Sequence, residues 1–206
     1  MAQDGSLAVN VRASLLRILV GFAAGVFVGV PLGLAMGLFT PVMIVFEPYV
    51  QFFRFVPPIA WLVPAILWFG IGNTSKIFLI FYATVFLVLV NTMAGVRTIA
   101  RNQLRAANTF ELSKWQLFAW VTLPATMPHV LTGMRIAMAN SFAAVVGAEL
   151  VAANAGIGYL IAQSAEWMEA DRMFAGMLTL GLLGLLADLA FRWAVHRFAR
   201  RYYMAE

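Results

Sequence analysis

The sequence predicts an all-α fold, a polytopic transmembrane helical bundle of five spans forming one domain over residues 1–206. Three observations predict it. Hydrophobic residues make up 63% of the chain and charged residues 11%, where a soluble domain has about 45–50% and roughly 25%. A globule this small has too little interior to hide so much apolar surface, so its solvent is lipid. Second, the apolar residues fall into runs near the ~20 residues that a bilayer-spanning helix needs. Third, the basic residues gather in two clusters outside those runs, as positive charge does on the cytoplasmic side of a membrane protein.

The first run, 13–38, exceeds the apolar segment of a secretory leader and lacks a small-x-small cleavage site, so it reads as a span. It carries Gly21, Gly25, Gly29, Gly33 and Gly37, one every fourth residue, in "GFAAGVFVGVPLGLAMG". Such a ridge with almost no side chain is a helix-packing surface, because association in lipid depends on close backbone approach. Its partner is either within the chain or in a second copy. "TPVMIVFEPYVQFFRF" reads as an interfacial helix. The second span, 55–70, is short and broken by Pro57, Pro58 and Pro64. Broken helices at membrane depth are tolerated where protein or a water-filled cavity covers them. "GIGNTS" is a tight polar turn before the third span, 76–96. A polar insert at about 97–127 follows, then the fourth span, 129–151. A mixed stretch, 154–172, predicts a loop with a short helix, and 173–194 is the last span.

Orientation follows from charge. Arg97, Arg101, Arg105 and Lys114 crowd the insert, and Arg192, Arg197, Arg200 and Arg201 crowd the C-terminus. Both regions are expected in the cytoplasm, which puts the N-terminus and the acidic Glu166, Glu169 and Asp171 outside. Arg12 and Arg17 run against this and are outvoted by the larger clusters. The net charge of +5 and pI of about 10.1 express this retention, and no nucleic-acid partner is expected. The chain has no cysteine, which excludes disulfides and thiolate metal sites. His129 and His196 stand apart without a ligand set, so no metal site is expected. Asp188 and Arg192, four apart, are placed to pair on one helical face. Glu149 closes the fourth span in "VVGAELVAANAG". An acid near membrane depth is costly and often functional. It reads as a pathway or outer-gate residue, or as an interfacial carboxylate bonded to backbone. Its charge would repel an anion, so it does not read as an anion site.

The insert contains "LRAANTFELSKWQLFAWVTLPATMPHVLTG", residues 104–133. Arg97, Arg101 and Arg105 share one helical face, and Ala100, Leu104 and Ala107 another. Small residues suit a helix that docks in a partner's groove; an ordinary basic loop would explain the charges equally well. The leucine–proline pair Leu123–Pro124 is expected to end the local structure before the next span. This stretch resembles the "EAA" loop of ABC-importer permeases, written roughly EAA-x3-G-x9-I-x-LP. Ala106 and Ala107 match its alanines, Leu123 and Pro124 its LP, and Val121 its Ile. "ILWFGIGNTSKI", "NTMAGVR" and "GAELVAANAGIGYLI" resemble the nitrate/sulfonate/taurine/bicarbonate branch of that family, and the similarity covers nearly the whole chain in order.

The resemblance implies a permease subunit of a type I importer in the bacterial inner membrane, performing no bond chemistry and having no catalytic residue. It implies an ATPase-docking loop formed by Arg101, Leu104, Arg105, Ala106, Ala107, Phe110, Glu111, Leu123 and Pro124. It implies a second permease copy as a homodimer, and a periplasmic or lipid-anchored binding protein on the outer face. Asn73, Glu166, Glu169 and Asp171 are the candidates to meet that protein. ATP and Mg belong to the partner ATPase, because this chain has no phosphate-binding glycine loop, and no cofactor is expected on the chain itself. The implied solute is a small anion, nitrate, a sulfonate, bicarbonate or a related organic acid, with small heterocycles and aromatic acids left open. Two positions depart from the pattern: Arg105 stands for the motif Glu, and Glu111 for the motif Gly. Members of this branch also commonly begin with a further span. Two other classes compete. A lipid-modifying membrane enzyme would need His, Asp, Glu or Ser clustered near one interface, which two separated histidines serve poorly. A non-transporting scaffold would need no site at all.

Overall fold

The computed structural model of the chain describes residues 6–100 and 112–198. Their elements are α1 (Ser6–Leu38), α2 (Thr40–Phe53), a 3-10 turn (Pro58–Trp61) leading into α3 (Leu62–Phe69), and α4 (Asn73–Arg97). After the insert come α5 (Lys114–Gln116), a π-helical segment (Leu117–Thr122), α6 (Leu123–Ala152), α7 (Ile157–Glu166) and α8 (Ala170–Phe198). Among the described residues, four helical stretches are long and apolar enough to cross a bilayer: α1, α4, Lys114–Val151 and α8. The α2–α3 pair, bent by 91°, brings the number to five if it counts as one span.

The direction of α4 decides how the bent pair runs. Gly21 of α1 lies against Ile80 of α4, and Gly37 lies against Val96. The two helices are therefore parallel. A chain that leaves α1 beside the end of α4 must cross the whole bundle to reach the start of α4. The α2–α3 pair makes that crossing, with the prolines at its corner. The helix predicted as interfacial and the short second span are thus two halves of one bent span. The other boundaries shift as well. The first span begins at Ser6 rather than at residue 13. The fourth begins at Lys114 rather than 129, so the second half of the polar insert is helix rather than loop.

The core is centred on α4, whose Leu79, Ile80, Val88 and Leu89 are buried. It packs against α1 on one side and α6 on the other. The last helix, α8, lies at the edge and leaves Leu178, Leu182, Leu185 and Leu189 exposed, a lipid-facing surface in a bundle whose solvent is hydrocarbon. Its Asp188 accepts from Arg135 of α6 at 2.7 Å and from Arg192, four residues on, at 3.0 Å. The predicted pair forms, with a third member from another helix.

Candidate functional site

At the end of the bundle where α1 and α4 begin, four elements meet in one buried polar cluster. Glu149, near the end of α6, is 1% exposed. Its carboxylate accepts from Arg17 Nη1 of α1 at 2.6 Å and from the Ser14 hydroxyl, which lies 2.8 Å from both carboxylate oxygens. It also accepts from the backbone N–H of Gly158 in the first turn of α7, at 2.9 Å. Arg17 also donates to the Ala155 carbonyl (2.7 Å) and to Asn73 Oδ1 at the start of α4 (2.9 Å). Asn10 Oδ1 accepts from Gly156 N–H, and Ser14 Oγ from Ile157 N–H. The first N–H groups of a helix have no intrahelical partner and carry partial positive charge. Here three consecutive N–H groups, those of Gly156, Ile157 and Gly158, find side-chain acceptors from α1 and α6.

Two glycines make room for this cluster. Gly156 has φ +137°, a region that residues with a Cβ avoid, and a Cβ there would strike the Glu149 carboxylate. A Cβ on Gly158 would lie 2.8 Å from Glu149 Cβ. The stretch "GAELVAANAGIGYLI" is thus the sequence of a lock joining α1, α4, α6 and α7. Lys76 is also buried here, at 2% exposure, and donates to the Gly72 carbonyl at 3.0 Å. Glu149 is enclosed by these hydrogen bonds.

Along the bundle, the glycine ridge is occupied from within the chain. Each ridge glycine faces the residue 59 positions later, from Gly21 with Ile80 to Gly37 with Val96. A constant offset over five contacts means two helices that run side by side at backbone distance. The Leu89 carbonyl lies 2.6 Å from where a Gly33 Cβ would be. Between α4 and α6, Thr84 and Ser141 hydroxyls meet at 3.0 Å, and Asn140 Nδ2 donates to the Ala83 carbonyl.

Arg101, Leu104, Arg105, Ala106, Ala107, Phe110 and Glu111 lie outside the described residues, as do Arg200 and Arg201. Before α5, the Ser113 side chain accepts from Gln116 N–H while Gln116 Oε1 accepts from Ser113 N–H. This reciprocal cap starts the helix and is legible as S-x-x-Q. Leu123 and Pro124 do not end a local structure. They sit in continuous helix, just after the π-helical segment. The π-helical segment lies directly before Pro124, and local π adjustments of this kind let a membrane helix tolerate proline. Thr122 Oγ1 donates to the Leu117 carbonyl (3.3 Å), Thr126 to Thr122 (2.7 Å) and Thr132 to Pro128 (2.9 Å). His129 is not isolated: its Nε2 lies 3.2 Å from the Thr98 hydroxyl.

Of the candidates for an outer surface, Glu166 and Asp171 are exposed. Glu169 pairs with Arg172 at 2.8 Å, and Asn73 is engaged by Arg17. Sequence reasoning missed Ser14 and Arg17 as partners of Glu149, and Asn10 as the acceptor for Gly156 N–H. It also missed Arg54, which stands at the α2–α3 corner.

The chain belongs to the family described as binding-protein-dependent transport system inner membrane components, whose model matches residues 21–202. It is 36% identical to the taurine transport system permease protein TauC of Escherichia coli (strain K12) over 92% of this chain and 69% of that one. It is 31% identical to the nitrate import permease protein NrtB of Synechocystis sp. (strain ATCC 27184 / PCC 6803 / Kazusa), over 90% and 67%. It is 32% identical to the bicarbonate transport system permease protein CmpB of Synechococcus elongatus (strain ATCC 33912 / PCC 7942 / FACHB-805), over 92% and 69%. The fold is that of a chain in inward-facing structures of the MetNI methionine ABC transporter, with TM-score 0.83 and 18% identity over 98% of both chains. The protein is accordingly a multi-pass inner-membrane permease subunit of an ABC importer. The comparisons do not favour the lipid-enzyme and scaffold alternatives.

Proposed function

We propose that the chain works as a homodimer with a separate ATPase and a binding protein, and that it imports a small anion. The observation that carries this reading is the correspondence, along about nine-tenths of the chain, with permeases named for taurine, nitrate and bicarbonate. Those solutes share a compact oxyanion head. The ATPase docks on the insert at about 97–127, through Arg101, Leu104, Arg105, Ala106, Ala107, Phe110 and Glu111. Leu123 and Pro124 carry the motion into α6. ATP and Mg stay on the ATPase. Movement of the insert passes through the π-helical segment into α6, and the lock at Glu149 carries it to α1, α4 and α7. The binding protein meets the surface of Glu166, Trp167, Glu169 and Asp171. Since the glycine ridge is used against α4, the second copy docks on another face.

Charge supports a cytoplasmic insert and C-terminus. Arg17 does not argue against this orientation. It is neutralised by Glu149, whereas the positive-inside rule concerns lysines and arginines of short loops. The chain has no cysteine, so the orientation can be read from single cysteines at Gln103 and at the exposed Glu166. An impermeant thiol reagent outside intact cells is expected to label Glu166→Cys and spare Gln103→Cys. The reverse labelling would overturn the orientation.

Coupling is tested at Ala107. Proline inside a helix removes a hydrogen bond and clashes with the preceding turn, costing roughly 3 kcal/mol or more. Ala107→Pro is expected to leave membrane insertion unchanged and to abolish uptake of taurine, nitrate and bicarbonate by the reconstituted complex. ATPase stimulation by the binding protein should be lost with it. Full uptake by this variant would reduce the insert to a plain loop.

A further inference from the structure

We propose that Arg54 is the anion-selecting residue of the translocation pathway, acting in a cavity formed by the α2–α3 corner, α4 and α6. The proposal rests on the importer reading above and assigns the place where the solute's charge is met. Arg54 caps the C-terminus of α2, its N–H donating to the Val50 carbonyl at 3.0 Å. Tyr82 pins the same corner to α4 by donating its hydroxyl proton to the Phe53 carbonyl at 2.5 Å.

Tyr82 lies nine residues into α4. At 1.5 Å per residue this is about 14 Å below the start of a helix about 37 Å long. The corner is therefore well inside the membrane. An arginine at such depth is rare, and its usual setting is a water-filled cavity or substrate path. Arg17 and Lys76, two other basic residues in the spanning helices, are buried and bonded to a carboxylate or to carbonyls. Arg54 is exposed, stacks over the Phe55 ring at 4.8 Å, and has no carboxylate partner among the described residues.

The cavity beside it measures about 450 Å³, within the range of small-molecule sites. Arg54, Tyr82, Asn91, Ile136 and Asn140 line it, and no acidic residue among the described residues does. Asn91 and Asn140 each spend one amide proton on a backbone carbonyl, of Leu87 and Ala83 respectively. Each keeps a second donor, as an amide nitrogen has two. A single cation with neutral donors and apolar walls suits a compact oxyanion that must bind and then leave. A low-dielectric cleft of one charge sign raises the local concentration of the opposite ion about tenfold or more.

The test reads the cavity's charge preference directly, whatever the solute. Ile136→Cys places the chain's first thiol on the cavity wall. The variant is assembled with its ATPase in proteoliposomes and treated with methanethiosulfonate ethylsulfonate, an anion, or with its trimethylammonium counterpart. The anionic reagent is expected to react faster. Adding Arg54→Gln, or Arg54→Met as a second neutral variant, should lower the ratio of anionic to cationic rates about tenfold, and Arg54→Lys should keep it. A thiol that reacts with neither reagent, or a ratio indifferent to Arg54, would overturn the proposal. Uptake of nitrate, taurine and bicarbonate in the same vesicles separates the two readings. A ratio that follows Arg54 without uptake of any of the three upholds the selecting role and sinks the proposed substrates. Uptake with an indifferent ratio does the opposite.

Discussion

Glu149→Ala is expected to cost about 3–5 kcal/mol, the range for breaking a buried ion pair from one side. The reason lies in what stays behind. Arg17 remains buried at 7% exposure with its carboxylate gone. Lys76 is buried at the same end of the bundle, at 2% exposure, and is bonded to backbone carbonyls rather than to a carboxylate. The Ser14 hydroxyl and the Gly158 N–H lose their acceptor. For a chain of this size a loss of that magnitude lowers the melting temperature by on the order of 10 °C, measurable on detergent-purified protein. The double variant Arg17→Met with Glu149→Ala should recover part of the loss, because apolar replacement of a whole buried pair is often tolerated. A single Glu149→Ala variant that melts normally but no longer transports would assign the carboxylate to a gate and remove it from the lock.

That result bears on what the sequence could disclose. Glu149 was legible as an anomaly, an acid closing an apolar run, and Arg17 was legible as another. Their pairing spans 132 positions, and local periodicity carries no signal over such a distance. The topology does carry one. With five spans, the start of the first and the end of the fourth lie on the same side, so the two anomalies were already neighbours. The long apolar runs were equally plain, since lipid leaves little choice of residue. Their ends were less plain. Lys114 and Gln116 are polar yet helical, because Ser113 caps the turn and the helix extends past the apolar stretch. Arg54 was lost for a related reason. Beside three aromatic residues in "QFFRF" it resembles an interfacial anchor, and only the 91° bend of the α2–α3 pair brings it to the cavity.

The ridge shows the same division between face and partner. A glycine every fourth residue tells which side of α1 is flat but not what lies on it, and the partner is α4. Leucine at Gly33 keeps the segment as hydrophobic as before, so partition into the bilayer should not change. Its Cβ, however, would meet the Leu89 carbonyl at 2.6 Å and Thr92 Cβ at 2.8 Å. The first is backbone held within α4 and has no rotamer to yield, so the helices must part. Parting them uncouples neighbouring glycine contacts on the same ridge, which places the cost near the upper end of overpacking, about 3 kcal/mol. Gly181→Leu on α8 is the matched control, since nothing lies within 4 Å of the added Cβ. Phe27→Leu is a second control, at a side chain 80% exposed on the far face of α1. Gly33→Leu should insert at the normal level yet lower both melting temperature and recovery of the assembled complex, while the controls leave both unchanged. Equal behaviour of all three variants would mean that the ridge is not a packing surface, and that α1 and α4 tolerate separation without loss.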